Sequence, residues 1–404
     1  FQPLASNLAG PRTRRLRCLP QTHRPLPFGH GLDALDFVLE NPLSPLENPL
    51  SPLNPPAILT VQSVELRFKQ PARTSRNTML TRKIWVLTYG HAQGECAPLP
   101  GLSPDWVDEA HWNQILHQAV LRFNEAAADC GDTTSLVQAM ETELDSYRRH
   151  QPSLVFGFES LLKQLSNKAE PKGETSATLP VNGLVWMNEM ETMRTEAHQK
   201  VQAGYSCIKL KIGALDWLAE LDLLQELREA YPSERLQIRV DANGALDPDT
   251  ATMRMEALQK LGVHSIEQPL AVRYDALLPQ ICKTGALPVA LDESLLVRYP
   301  DESSRDWLAQ SGVAFLVLKP GLLGGFRVAE SWIQTAESLG LGWWITSALE
   351  SNIGLQALAL WTLDQTRRSQ NPLAQGLGTG SLFTNNFPST LQVQSGILSW
   401  GSPS

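Results

Sequence analysis

Ser206-Cys207-Ile208-Lys209-Leu210-Lys211 is the first of five segments built to one design. The others are Arg239-Val240-Asp241-Ala242-Asn243, Ser265-Ile266-Glu267-Gln268-Pro269, Ala290-Leu291-Asp292-Glu293-Ser294 and Leu316-Val317-Leu318-Lys319-Pro320. Each is a short apolar run, often β-branched, that ends in a charge. Lys211 and Asp241 are 30 residues apart, and the next intervals are 26 to Glu267, 25 to Asp292 and 27 to Lys319. A strand, a loop, a helix and a return loop need about that length, so each interval reads as one βα unit. The pattern predicts five successive parallel strands with Lys, Asp, Glu, Asp and Lys at the same end. That end is where a (β/α)8 barrel builds its active site.

Outward from this stretch, strand and helix signals alternate from about residue 179. Residues 180–186 read as the first barrel strand and 342–346 as the seventh, closed by Ser347-Ala348-Leu349-Glu350-Ser351. An eighth is signalled near 374–377, leading into Gly378-Thr379-Gly380-Ser381. The first and last signals are weak, which leaves a (β/α)8-type barrel and a β7α variant both open. Upstream, residues 59–68 and 83–89 alternate as strands around a polar loop at 71–77. Ser103-Pro104-Asp105 reads as a helix start with Ser at the N-cap, followed by helical patterns at 106–129, 134–149 and 153–166. The fold class expected is therefore α/β: a barrel preceded by a small α+β domain. The expected divisions are a Pro-rich extension at 1–57, the α+β domain at 58–175, the barrel at 176–378 and a segment at 379–404 that returns to the small domain.

The extension carries Arg12, Arg14, Arg15 and Arg17 and the tandem repeat Glu-Asn-Pro-Leu-Ser-Pro-Leu at 40–46 and 47–53. Prolines this frequent remove backbone donors and favour extended chain, so a flexible or polyproline-like arm is expected. It lacks the apolar core of a signal peptide. With 404 residues, 42% hydrophobic and 19% charged, the chain can bury a large core. A net charge of −8 gives no reason to expect nucleic acid or an anionic membrane as partner. The five cysteines, Cys18, Cys96, Cys130, Cys207 and Cys282, form no CxxC pair and suit reduced thiols in a cytoplasmic setting. Oligomeric state is not readable.

Three carboxylates, Asp241, Glu267 and Asp292, on adjacent strand ends would converge, and anions that close need a cation. Any one alone is an ordinary surface or helix-capping acid; three in register favour a metal. Hard oxygen ligands suit Mg²⁺, with Mn²⁺ as an alternative. Asn243 would contact the substrate or support a ligand, although Asp-Ala-Asn-Gly is also plain turn chemistry. Lys209 and Lys211 stand i, i+2 in one strand and share a face. With Ile208, Leu210 and Ile212 against helices, that face is the barrel interior. Neighbouring ammonium groups and a metal are expected to depress each other's pKa, and a depressed lysine can accept a proton near pH 7. Lys319 arrives from the other side of the mouth. One lysine would abstract a proton while another's charge stabilises the resulting anion. This points to a small-molecule carboxylate substrate that loses its α-proton through an enediolate beside a divalent cation.

On these residues the chain resembles the enolase superfamily, in its muconate-lactonizing-enzyme-like subgroup, across roughly 58–400. The resemblance implies a capping domain at 58–175, Mg²⁺ at Asp241, Glu267 and Asp292, Lys211 as the proton-abstracting residue and Lys319 as a fixed cation. Within the subgroup, Pro71-Ala72-Arg73-Thr74-Ser75-Arg76, Gly94-Glu95-Cys96 and residues 376–386 resemble members acting in menaquinone biosynthesis. Those members, carbon–oxygen lyases, dehydrate 2-succinyl-6-hydroxy-2,4-cyclohexadiene-1-carboxylate to 2-succinylbenzoate. A dipeptide epimerase or N-acylamino acid racemase on the same frame is the alternative. Dipeptide epimerases of the subgroup carry Asp-x-Asp after the eighth strand, where this chain has Gly378-Thr379-Gly380-Ser381. A catalytically silent barrel acting as a binding protein ranks far below, since no lysine or ligand is missing. Substrate contacts are expected at Ser75, Arg76, Asn243, Ser347 and Glu350.

Overall fold

The computed structural model describes residues 57–75, 77–166, 177–284 and 287–401. The extension before Ala57, and Arg76 in the loop expected to meet the substrate, lie outside the described residues.

Strands β1 (Thr60–Arg73), β2 (Thr78–Tyr89) and β3 (Ala92–Cys96) form an antiparallel sheet in that order. The first strand runs past the expected polar loop, with a register shift between Arg67 and Ala72. Helices α1 (Glu109–Asp129), α2 (Thr133–Leu144) and α3 (Pro152–Leu165) cover the sheet. Trp85, Trp112, Phe123 and Phe158 are among the side chains of their common core. Helix α1 starts later than Ser103-Pro104-Asp105 suggested: Asp108 is its N-cap and accepts from the His111 amide. The earlier signal is spent elsewhere. Ser103 Oγ accepts from the Leu99 amide, and Asp105 accepts from the Ser153 amide at 2.9 Å, at the start of α3.

After β4 (Thr178–Pro180), which lies outside the parallel sheet, the barrel opens with β5 (Gly183–Val185) and α4 (Met190–Gln202), then β6 (Cys207–Lys211), α5 (Trp217–Ala230), β7 (Gln237–Asp241) and α6 (Pro248–Lys260). It continues through β8 (Ser265–Glu267), a 3₁₀ turn at Val272–Leu277, α7 (Leu278–Thr284), β9 (Val289–Leu291), α8 (Glu293–Leu296) and α9 (Glu302–Ser311). The last units are β10 (Phe315–Leu318), α10 (Pro320–Leu323), α11 (Gly325–Ser338), β11 (Gly342–Ile345) and α12 (Asn352–Ser369). Seven parallel strands run in the order β11-β10-β9-β8-β7-β6-β5, each beside its sequence neighbour. Such strands are covered on both faces, which explains their nearly continuous apolar runs. Side-chain caps mark the helix starts, with Asp216, Asp247, Asp301 and Ser351 each accepting from an amide of the first turn.

The eighth strand is reduced to two bridges, Val181 to Gln375 and Thr346 to Gly376, so the described sheet has seven strands with a closing seam. Near the end of the chain, residues 382–385 run beside β1, where Lys69 N–H donates to Leu382 O and Thr384 N–H to Arg67 O, each at 2.8 Å. The hairpin of β12 (Leu391–Gln394) and β13 (Ile397–Trp400) instead pairs with β4. Among the described residues no helix is long and apolar enough to cross a membrane. Cys96, Cys207 and Cys282 are free thiols.

Candidate active site

The alternation of β6 sets the site. Ile208, Leu210 and Ile212 belong to the core against the helices, which leaves Lys209 and Lys211 on the opposite face. Register then aligns the charges, because Lys211 pairs with Asp241 and Asp241 with Glu267 across β6, β7 and β8. Lys209 Nζ donates to both Glu267 oxygens, at 2.8 and 2.7 Å, and lies 2.9 Å from Asp241 Oδ2. Lys211 Nζ donates to Asp241 Oδ2 at 2.6 Å and to Asn243 Oδ1 at 2.9 Å. Asp292 follows β9 directly, Lys319 follows β10, and the Lys319 ammonium donates to Asp292 Oδ2. All three carboxylates are buried.

Among the described residues no three His, Cys, Asp or Glu side chains are arranged as a cage for a metal ion. Each carboxylate of the expected ligand set is engaged by an ammonium group. At Asp292 the ammonium takes Oδ2 alone, and Oδ1 is a buried oxygen with no hydrogen-bond partner among the described residues. A buried anionic oxygen of that kind is costly unless a cation meets it. The donor set is all oxygen, as a hard divalent cation requires.

The lysines differ in charge stability. Burial pushes Lys211 down, the charges of Lys209 and Lys319 add to that, and Asp241 only partly opposes it. Burial would also lower Lys319, but Asp292, Glu267 and Glu293 outweigh it and hold this ammonium above the usual lysine range. Lys209 goes the same way: Asp241 and Glu267 overcome the burial penalty. The mutual depression expected of the two β6 lysines is thus found at Lys211 alone, because Lys209 sits between two carboxylates. Burial opposes ionisation of Asp241, yet Lys209 and Lys211 hold it well below the usual range. Burial and the charge of Asp241 push Glu267 up to about 8.

All three ammonium groups face one cavity, whose wall also includes Asn243, Trp186, Met79, Leu99 and Leu322. Asn243 is fixed by three bonds: its amide donates to Asp241 Oδ1 at 3.0 Å, its Oδ1 accepts from Lys211, and its Nδ2 donates to Glu293 Oε1 at 3.0 Å. Ser75 Oγ donates to Ala242 O at 3.1 Å, which ties the 74–77 loop of the small domain to the barrel mouth. Thr74 and Asn77 of that loop line the cavity, while Ser75 does not. Ser347 lines it as well. Glu350 is buried behind that wall, accepting from Ser347 Oγ at 2.6 Å, and is not a lining residue. Sequence reasoning passed over Trp186 and Asn77, and it read Thr379 only as the absence of an acid. The Thr379 hydroxyl is buried on the cavity wall with no partner among the described residues.

Comparison with known proteins gives a consistent set of relatives. Residues 192–397 match the enolase C-terminal domain-like family. The o-succinylbenzoate synthase of Desulfotalea psychrophila is 38% identical over 365 residues, covering 84% of this chain and 98% of the relative. Among solved structures, MenC from the same organism superposes with a TM-score of 0.71 at 35% identity, covering 85% of this chain and all of that one (100%). The dipeptide epimerase of Cytophaga hutchinsonii, solved with Mg and D-Ala-L-Val, superposes at 0.68 with 19% identity over 85% of this chain and 94% of its own. That last likeness is one of fold.

Proposed function

The chain belongs to the enolase superfamily, and from that premise we propose that it dehydrates 2-succinyl-6-hydroxy-2,4-cyclohexadiene-1-carboxylate to 2-succinylbenzoate. The observation that carries the reading is one cavity faced by a lysine that burial makes easy to deprotonate, Lys211, and a lysine that carboxylates keep charged, Lys319. These are the two groups an α-proton abstraction needs. The whole-length similarity to an o-succinylbenzoate synthase selects the substrate.

Asp241, Glu267 and Asp292 would hold Mg²⁺, and the unpartnered Asp292 Oδ1 supports that fit. When bound, such an ion supplies positive charge for the substrate carboxylate. The protein's own groups do the rest. Neutral Lys211 takes the proton α to the ring carboxylate at Nζ, with Asp241 and Asn243 fixing where that nitrogen sits. The same Nζ then gives the proton to the departing hydroxyl, so that water leaves and the ring becomes aromatic. Lys319 stays protonated and faces the developing carboxylate charge. Apolar wall residues such as Met79, Leu99 and Trp186 suit the ring and limit water. Aromatisation makes the step strongly downhill.

Epimerisation of a dipeptide is the second reading, since Lys211 and Lys319 lie on different strands facing one cavity. Among the described residues no Asp or Glu lines that cavity, which leaves a cationic amino group without a counter-charge. The test is turnover by purified protein with Mg²⁺, comparing the cyclohexadiene, an N-succinyl amino acid and a dipeptide. Loss of diene absorbance supports the dehydration. Racemisation or epimerisation with no dehydration overturns it.

A further inference from the structure

We infer that Glu95 is a positioning residue for the reaction proposed above, holding from the small domain the 346–351 turn that walls the cavity. Glu95 lies on β3 and is fully buried. Its carboxylate reaches 256 residues along the chain to the start of α12. Oε1 accepts from the Ser351 amide at 2.9 Å, and Oε2 accepts from the Gly354 amide at 3.0 Å and from Ser351 Oγ. The first amides of a helix have no partner within it, and a carboxylate is the strongest acceptor a side chain offers them. Helix starts elsewhere in the barrel, at Asp216, Asp247 and Asp301, use an acid from their own chain neighbourhood. This one draws its acid from the other domain.

The strand that carries Glu95 cannot easily shift. A side chain at Gly94 would meet the Gly157 carbonyl oxygen of α3 at 2.0 Å, so β3 and α3 are in backbone contact. The acid is therefore set on a fixed support. The turn it holds is under local strain, since Leu349 adopts φ 68° without being glycine. At its other end the turn is sewn into the sheet, Thr346 N–H to Leu318 O at 2.9 Å and Ser347 N–H to Gly376 O at 3.0 Å. Between these anchors, Leu349 N–H donates to Ser347 Oγ at 3.0 Å, and Ser347 Oγ donates to Glu350. Thr346, Ser347, Ala348 and Leu349 all face the cavity, and Ala348 packs on Leu99 and Leu322. Releasing the anchor at Ser351 frees a strained segment to relax, and the surface that relaxes is the one against the substrate.

The test compares Glu95→Gln with Asp105→Asn in the full chain. The Glu95→Gln change keeps one acceptor oxygen but puts an NH₂ group where the second stood, facing the Gly354 N–H. Asp105 makes the same kind of helix-start bond to Ser153, wholly inside the small domain, and serves as the control for lost stability. Glu95→Gln is expected to raise KM about tenfold with a smaller fall in kcat, and to speed hydrogen exchange of the 346–350 amides. Asp105→Asn is expected to leave both within about twofold. Ser351→Ala, which removes the hydroxyl bond to Glu95 together with the helix's own cap bond from the Ile353 amide, is expected to show the same signature at about threefold and stands in should Glu95→Gln not fold. Parental kinetics and parental exchange at 346–350 in the Glu95 variant, or the same kinetic change in Asp105→Asn, overturn the inference. If the parent protein does not dehydrate the cyclohexadiene, the dehydration reading fails on its own. The exchange comparison then decides: faster exchange in the Glu95 variant alone supports positioning, and unchanged exchange rejects it.

Discussion

Lys319 donates from the end of β10 to Asp292 Oδ2 at the end of β9, while Asp292 Oδ1, the other oxygen of the same carboxylate, is buried with no hydrogen-bond partner among the described residues. One oxygen thus meets the Lys319 ammonium, and under the proposed reading the other would meet a metal. Mg²⁺ is expected to raise the thermal midpoint of the parent protein, since it binds the folded state. Asp292→Asn is expected to lose that shift. A full Mg²⁺ shift in Asp292→Asn would remove Asp292 from the ligand set.

Lys319 is expected to act as a charge and not as a base. Lys319→Ala should lower kcat/KM by about 10²–10³-fold while the rate still rises with pH as in the parent. Loss of that rising limb in Lys319→Ala would mean that Lys319 itself is the titrating group. The alternative epimerase reading would then gain.

Acid and base act in one direction on Glu95, at the domain interface, and on Asp105, inside the small domain. Burial pushes Glu95 from 4.5 up to about 7 and Asp105 from 3.8 to about 6. Their folded-state values are raised, so the folded protein keeps protons that the unfolded chain releases. The stability they contribute is complete below about pH 4 and is lost as pH rises through about 7. For Glu95 the change is on the order of 3 kcal/mol. Urea midpoints at pH 5 and pH 8 measure it, and Glu95→Gln should flatten the difference. An unchanged difference in that variant would place the titrating group elsewhere.

Gly94→Ala tests the support of Glu95. The added carbon would meet a backbone oxygen that cannot rotate away. Destabilisation by about 3 kcal/mol or more is expected, read from urea unfolding. A variant as stable as the parent would show that β3 and α3 can separate.

The barrel and its charges were legible because period-2 alternation fixes which face a strand residue takes, and the regular spacing fixes which end it reaches. Lys209, Lys211, Asp241 and Glu267 follow from that alone. Asp292 and Lys319, each one residue past its strand, follow nearly as well. Loops carry no such period. Glu350 was expected against the substrate, yet it turns inward behind Ser347, next to a positive-φ backbone at Leu349 that the sequence does not announce. The eighth strand left a weak signal because it is only two bridges at Gln375 and Gly376. The helix start expected at Ser103 moved to Asp108 because Asp105 is taken by a partner 48 residues away. Glu95 escaped for the same reason, its partners lying in another domain.

The central claim is that Lys211 moves the proton. Its most direct measurement is the single-turnover rate of dehydration of the cyclohexadiene by Lys211→Ala with Mg²⁺, beside parent protein and with circular dichroism confirming an unchanged fold. The account predicts turnover in the parent and a loss of about 10³-fold or more in the variant, at the same Mg²⁺-dependent thermal midpoint. A variant that keeps its rate within about tenfold of the parent would contradict it.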